Sequence, residues 1–123
     1  MGKVTVRYIV SNVDAAITFY TTLLDFQIVN TGQGFAALSR GDLQLLLNQP
    51  GAGNAGQAMP NGDLPSPGGW NRFQIEVDDL EATYQKLRVA GAHFRNEPMG
   101  SGGRRQVLLE DPSGNPVELF HAG

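Results

Sequence analysis

The sequence predicts an α+β fold made of two tandem β-α-β-β-β modules that form a curved mixed sheet, and three observations carry that prediction. VRYIVSNVDAA near the start and RFQIEVDDLEA past the middle share one order: strand, V-x-(N/D), acidic residue, helix. The remaining apolar segments are short and keep the period of two that marks strands. Between the halves lies QPGAGNAGQAMPNGDLPSPGG, in which glycine and proline make up about half of the residues. This divides the chain into module one (1–48), a linker (49–69) and module two (70–123).

In module one, VTVRYIV puts Val4, Val6, Tyr8 and Val10 on one face and Thr5, Arg7 and Ile9 on the other, a strand. SNVDAAITFYTTLL follows, with Val13, Ile17, Tyr20 and Leu24 near helical spacing and Ser11 or Asn12 as its cap. FQIVN and FAALS are two further strands, and RGD turns the chain into a last one, LQLLLN. The linker contains GAGNAG, the spacing of a dinucleotide fingerprint. Pro60, Pro65 and Pro67 follow where that motif needs a helix to open, so the nucleotide reading fails. The expectation is a mobile connection able to fold over a cleft.

Module two opens with WNRFQIEV, which sets Phe73, Ile75 and Val77 against Arg72, Gln74 and Glu76. DDLEATYQKLRVAG is a helix capped by Asp78 or Asp79, lined by Leu80, Tyr84 and Leu87, and stopped by Gly91. HFRN, then RQVLLED after the glycine-rich MGSGG, and PVELF supply three strands. Across both modules one set of faces is apolar enough to pack under the helices. The other set carries Thr5/Arg7/Ile9, Gln44/Leu46/Asn48, Arg72/Gln74/Glu76 and Glu118/Phe120. Such a mixed face is either an ordinary solvated sheet surface or, if the sheet curves around it, a small-molecule cleft.

Composition removes several function classes. A net charge of −3 gives no electrostatic footprint for nucleic acid or an anionic membrane. The adjacent Arg104 and Arg105 read as loop solvation. With no cysteine, disulfides, zinc ribbons and thiol catalysis are out, and two histidines cannot build a His-rich metal site. His93 falls in a loop-like place and His121 beyond the last strand. No G-x-S-x-G motif supports a nucleophilic triad. No long apolar run follows a basic start, so no membrane segment is expected and the cytoplasm is the default location.

AAITFYTTLLDF, RGDLQLLLN, VDDLEAT and EDPSGNPVELF together resemble the vicinal oxygen chelate superfamily, which includes glyoxalase I, bleomycin-resistance proteins and extradiol dioxygenases. The resemblance spans nearly the whole chain. It implies that the curved sheet surrounds a cleft. Asp25 departs from the pattern, since the family has a glycine where this helix ends, and a different turn is expected there.

In metal-using members, first and last strands of each module supply His, Gln or Glu ligands. Carried over by the resemblance, those positions are Thr5 and Gln44 in module one and Arg72 and Glu118 in module two. Glu118 alone matches the usual ligand chemistry. Arg72 is a permanent cation and ligates nothing. The expectation is therefore that Arg72 replaces the metal and pairs with Glu118, in the two-bond geometry such pairs favour.

The resulting functional expectation is a metal-independent small-molecule-binding protein, with no cofactor. By resemblance to the resistance proteins it is a homodimer, with Arg7, Gln44, Asn48, Trp70, Arg72, Gln74, Glu118 and Phe120 as candidate ligand contacts. The alternative is an enzyme of the lyase, isomerase or dioxygenase type. It would work with a divalent metal if the ligand register is other than counted here, or through Glu118 or Glu76 as acid–base group. An interaction module without a ligand is a third reading, with no charged tail or amphipathic helix to support it.

Overall fold

The computed structural model describes residues 2–122. In chain order the elements are β1 (Val6–Ile9), α1 (Val13–Leu23), β2 (Gln27–Gly32), β3 (Phe35–Arg40), β4 (Leu43–Asn48), β5 (Gln74–Glu76), α2 (Leu80–Val89), β6 (His93–Phe94), β7 (Met99–Ser101), β8 (Arg104–Glu110) and β9 (Pro116–Ala122). They form two compact units, Met1–Gly68 and Gly69–Gly123, so the linker belongs with module one.

The first unit holds a four-stranded sheet in the order β1-β4-β3-β2, with β1 parallel to β4 and the other pairs antiparallel. The second repeats that order as β5-β9-β8-β6, with β5 parallel to β9. Here β7 also pairs with β8: β6 takes Leu109 and Glu110 while β7 takes Arg104 to Gln106. The two are pieces of one broken edge strand. At the break, the side chain of Asn96 accepts the Leu108 N–H at 2.9 Å, doing the work of a ladder carbonyl.

Both helices start on the same device. Asn12 Oδ1 accepts the N–H of Ala15 at 3.0 Å, and Asp79 Oδ1 accepts that of Ala82 at 3.0 Å. Each cap is worth about 1 kcal/mol. Each helix then lays its apolar stripe on its own sheet. α1 buries Val13, Ala16, Phe19 and Tyr20 over β3 and β4, where Leu38, Leu45 and Leu47 are buried. Ile17, expected in that stripe, is only half-buried. α2 buries Leu80, Tyr84 and Leu87 over β8 and β9, whose Val107, Leu109, Val117 and Leu119 complete the second core.

Two local expectations are corrected. Val4 is 91% exposed, because β1 begins only at Val6. Asp25 keeps a glycine-type turn, adopting the left-handed φ of 59° that lets the Phe26 N–H reach back to the Tyr20 carbonyl. Phe26 then packs edge-on against Tyr20, the apolar contact that accompanies such helix ends.

The linker, expected to be mobile, has a defined hydrogen-bonded start. Gln49 takes the N–H of Val13 on its Oε1 at 2.9 Å and gives its own N–H to Gly34. Gly51, Ala52 and Gly56 then bond among themselves and to Gln49, and the Gln57 amide donates to the Gly51 and Gly53 carbonyls at 3.0 Å each. A Cβ on Gly56 would stand 2.4 Å from the Gln49 carbonyl oxygen, so the coil needs glycine there. On the far side of the first sheet, every residue of β2 is exposed, and its ladder with β3 slips between Ile28 and Asn30.

Candidate functional site

The alternation of β9 decides where its side chains go. Val117 and Leu119 enter the core beneath α2, so Glu118 and Phe120 must face the other way. Glu118 has Gln74 and Leu108 as its cross-strand neighbours, and Phe120 has Glu76 and Gln106. A hollow of about 370 Å3, within the size range of small-molecule sites, adjoins this face and also takes in residues of the opposite alternation. Gln74, Glu118 and Phe120, all expected ligand contacts, line it. So do Arg104, Arg105, Gln106 and His121, which were not among the expected ligand contacts.

Arg72 pairs with Glu118. Its Nε donates to Oε1 at 3.0 Å, and Nη2 stands 2.9 Å from the same oxygen. Instead of the expected two-bond fork, one hydrogen bond and one close ionic contact converge on one oxygen, and Oε2 accepts nothing among the described residues. The side chains are 28% and 13% exposed, so the charges are partly desolvated and the pairing matters to both. A third guanidinium nitrogen, Nη1, donates to the Trp70 carbonyl at 3.2 Å.

Arg104 and Arg105 are not loop residues. They open β8, and their neighbouring positions send them to opposite faces. Arg105 is satisfied: it forms an ion pair with Glu81 and donates to the Pro98 carbonyl at 3.0 Å. The Arg104 side chain makes no hydrogen bond or ion pair with any described residue. His121, expected beyond the last strand, lies within β9 opposite Arg105. His93 is likewise a strand residue, opening β6 opposite Glu110. The missed signal was the length of β8 and β9: both run past the motifs that identified them.

Trp70 does not line the hollow. Its ring is 70% exposed and lies under the Arg95 guanidinium, 4.6 Å from the ring centroid. Arg95 was not singled out in the sequence, yet all its nitrogens are used. Nε donates to Glu110 at 2.7 Å, and Nη1 and Nη2 donate to the Gly69 and Gly114 carbonyls at 2.9 Å each. Arg95 therefore clasps the start of the second unit to the turn before β9.

In the first unit the candidates scatter. Arg7 is exposed on β1. Gln44 and Thr5 share a separate open hollow of about 470 Å3 with Ser39 and Asp42. Asn48 is buried under the linker coil, donating to the Ala52 carbonyl at 3.3 Å, and is a loop tie instead of an open-face contact. The counted ligand position is also displaced. Val10 donates to Asn48 as Val77 donates to Phe120, and Arg7 stands opposite Leu46 as Gln74 stands opposite Glu118. The counterpart of Glu118 is thus Leu46, not Gln44.

This donor set does not suit a divalent cation. Among the described residues no three His, Cys, Asp or Glu side chains group closely enough to hold one. At the one carboxylate in a ligand position, an arginine already occupies Oε1.

A strand-helix-strand unit used twice, each time with a parallel first-to-last strand pair, is the architecture of glyoxalase-like proteins. The chain belongs to the Glyoxalase/Bleomycin resistance protein/Dioxygenase superfamily, whose family model matches residues 3–119. Among solved structures, it is similar to a superfamily member from Sphaerobacter thermophilus DSM 20745, with 25% identity and a TM-score of 0.76 over 98% of this chain and 97% of that one. It also resembles a lactoylglutathione lyase from Agrobacterium tumefaciens (21%, TM-score 0.72, 98% and 93% covered). TnmS3, an antibiotic binding protein from Streptomyces sp. CB03234, is similar at 21% and TM-score 0.73, with 100% and 98% covered. The last two establish the fold alone.

Proposed function

We propose that this chain is a metal-independent small-molecule-binding protein whose ligand lies against the open face of the second sheet. The observation that carries the reading is the Arg72–Glu118 pair at the edge of a hollow where the side chains of Gln74, Gln106 and Arg104 make no hydrogen bond or ion pair with a described residue. Gln74 and Gln106 offer side-chain amides, Glu118 offers Oε2, and Phe120 offers a ring. A site with one aromatic wall and a few unspent polar groups is what a ligand pocket needs. That one similar structure is an antibiotic binding protein agrees with this reading.

Titration calorimetry against a library of aromatic small molecules tests it. Phe120→Ala should abolish the binding of any hit while leaving the melting temperature within a few degrees, since the ring is outside the core. Hits indifferent to Phe120 would place the site elsewhere. Elemental analysis after incubation with nickel, zinc, manganese and ferrous iron should find far less than one metal per chain; stoichiometric metal would refute the metal-free reading. The homodimer, by family resemblance, and the cytoplasm, as the default location, belong to the same proposal, and light scattering checks the first.

A second reading uses the same carboxylate. Glu118, which lines the hollow and has Oε2 unused by Arg72, would act as a general base toward a bound substrate. In that case Glu118→Gln abolishes turnover while preserving ligand binding.

A further inference from the structure

Resting on the reading of this hollow as a ligand site, we infer that it takes a planar aromatic anion, a fused ring bearing a carboxylate and a hydrogen-bond donor, with Arg104 as the counter-charge.

The sign of the ligand follows from which charges are already spent. Three charged side chains line the hollow: Arg104, Arg105 and Glu118. Glu118 is neutralised by Arg72 at 2.9 Å, and Arg105 is neutralised by Glu81. Arg104 alone has no carboxylate partner among the described residues, so among these the hollow carries one uncompensated positive charge. A guanidinium stays charged at any physiological pH and prefers a planar carboxylate that accepts two of its donors.

The orientation follows from strand order. The sheet runs β5-β9-β8, so Phe120 on β9 has Glu76 on its β5 side and Gln106 on its β8 side. Arg104 is two residues before Gln106 on β8 and shares its face, roughly 7 Å away along the strand. Glu76 lies on the other flank and does not line the hollow. A ring seated on Phe120 therefore directs its carboxylate along β8 toward Arg104, away from Glu76. A hydroxyl or N–H elsewhere on the ring meets Glu118 Oε2, the acceptor that Arg72 leaves unused. The same geometry disfavours a cation, which would place like charge against Arg104.

The test compares three fused-ring probes of one shape: 6-hydroxy-2-naphthoate, the neutral 6-hydroxymethyl-2-naphthol and the cationic 6-aminomethyl-2-naphthol. Calorimetry on the wild type should show the naphthoate binding at least about tenfold tighter than the neutral probe, with the cation weakest. Arg104→Gln should erase that preference and leave the neutral probe unchanged, while Arg104→Lys should retain most of it. Arg104 is exposed, so unchanged melting temperatures will show that neither variant unfolds the chain. If the neutral or cationic probe binds as tightly as the naphthoate, and Phe120→Ala abolishes that binding, the site stands and the ligand class is overturned. A preference that survives Arg104→Gln overturns the assignment of the counter-charge. If no probe binds in a Phe120-dependent way, the ligand-site reading fails together with this one.

Discussion

Arg72 meets Glu118 with two nitrogens, Nε at 3.0 Å and Nη2 at 2.9 Å, and both close on the same oxygen. A side-by-side fork would have consumed both carboxylate oxygens. By sharing Oε1, the arginine neutralises the charge yet makes no hydrogen bond to Oε2. That arrangement answers why a strand so largely buried carries a glutamate: its charge is paired at home and its spare lone pairs are available to a guest.

Reversing one partner should therefore be costly. Arg72→Glu sets two carboxylates together and should destabilise the protein by about 1–3 kcal/mol in urea unfolding. Adding Glu118→Arg should recover part of that loss, with a coupling of at least about 0.5 kcal/mol. Strictly additive effects would mean that the two charges do not depend on each other.

Asp25 holds a left-handed φ of 59° that glycine adopts freely. Asp25→Gly should stabilise the chain by about 0.5–1 kcal/mol, a rise of about 3–5 °C in melting temperature. Asp25→Val should do the reverse, because a branched side chain tolerates that backbone least. An unchanged or lower melting temperature for the glycine variant would show that the Asp25 side chain contributes more than its backbone costs.

Two linker glycines should respond differently to alanine. At Gly56 the added Cβ meets the Gln49 and Ala52 carbonyl oxygens at 2.4 and 2.5 Å, so Gly56→Ala should cost about 2 kcal/mol or more. Gly62 has open space around it but a φ of 93°, and Gly62→Ala should cost about 1 kcal/mol for the backbone alone. Equal costs from chemical denaturation would contradict the packed coil described for residues 49–57.

Trp70 is the sole tryptophan, so its emission reports directly on Arg95. Arg95→Leu should change that emission and destabilise the second unit by about 2 kcal/mol, since Glu110 and two carbonyls lose their donor. Arg95→Lys should rescue little, because an ammonium cannot reach three separated acceptors while covering a ring. Fluorescence that ignores Arg95→Leu would show the stacking to be absent in solution.

The fold was legible because strand and helix periods recur twice in one order, and because Asn12 and Asp79 can cap only one way once their helices dock. The site was half legible. Glu118, Phe120 and Gln74 follow from alternation; the cost of an unpaired buried carboxylate calls for a partner, and the family resemblance pointed to Arg72. Gln44 was misplaced because LQLLLN has leucine on both faces, and counting from a leucine cannot fix a register set by pairing with a distant strand. The broken edge strand, the glycine coil after Gln49 and the reach of Arg95 escaped for a related reason. Each depends on contacts remote in sequence, where glycine and short strands leave almost no periodic trace.

The slip in the β2–β3 ladder bears on how the protein behaves when crowded. β2 ends its sheet with Ile28 and Val29 each 55% exposed, an apolar border onto which another chain could zip strand by strand. Val29 is the residue that the ladder skips, and such a bulge bends the border and spoils the even row of donors and acceptors a fibril would copy. One surplus residue thus acts as a guard against polymerisation, letting an oily margin stay in water without becoming a template.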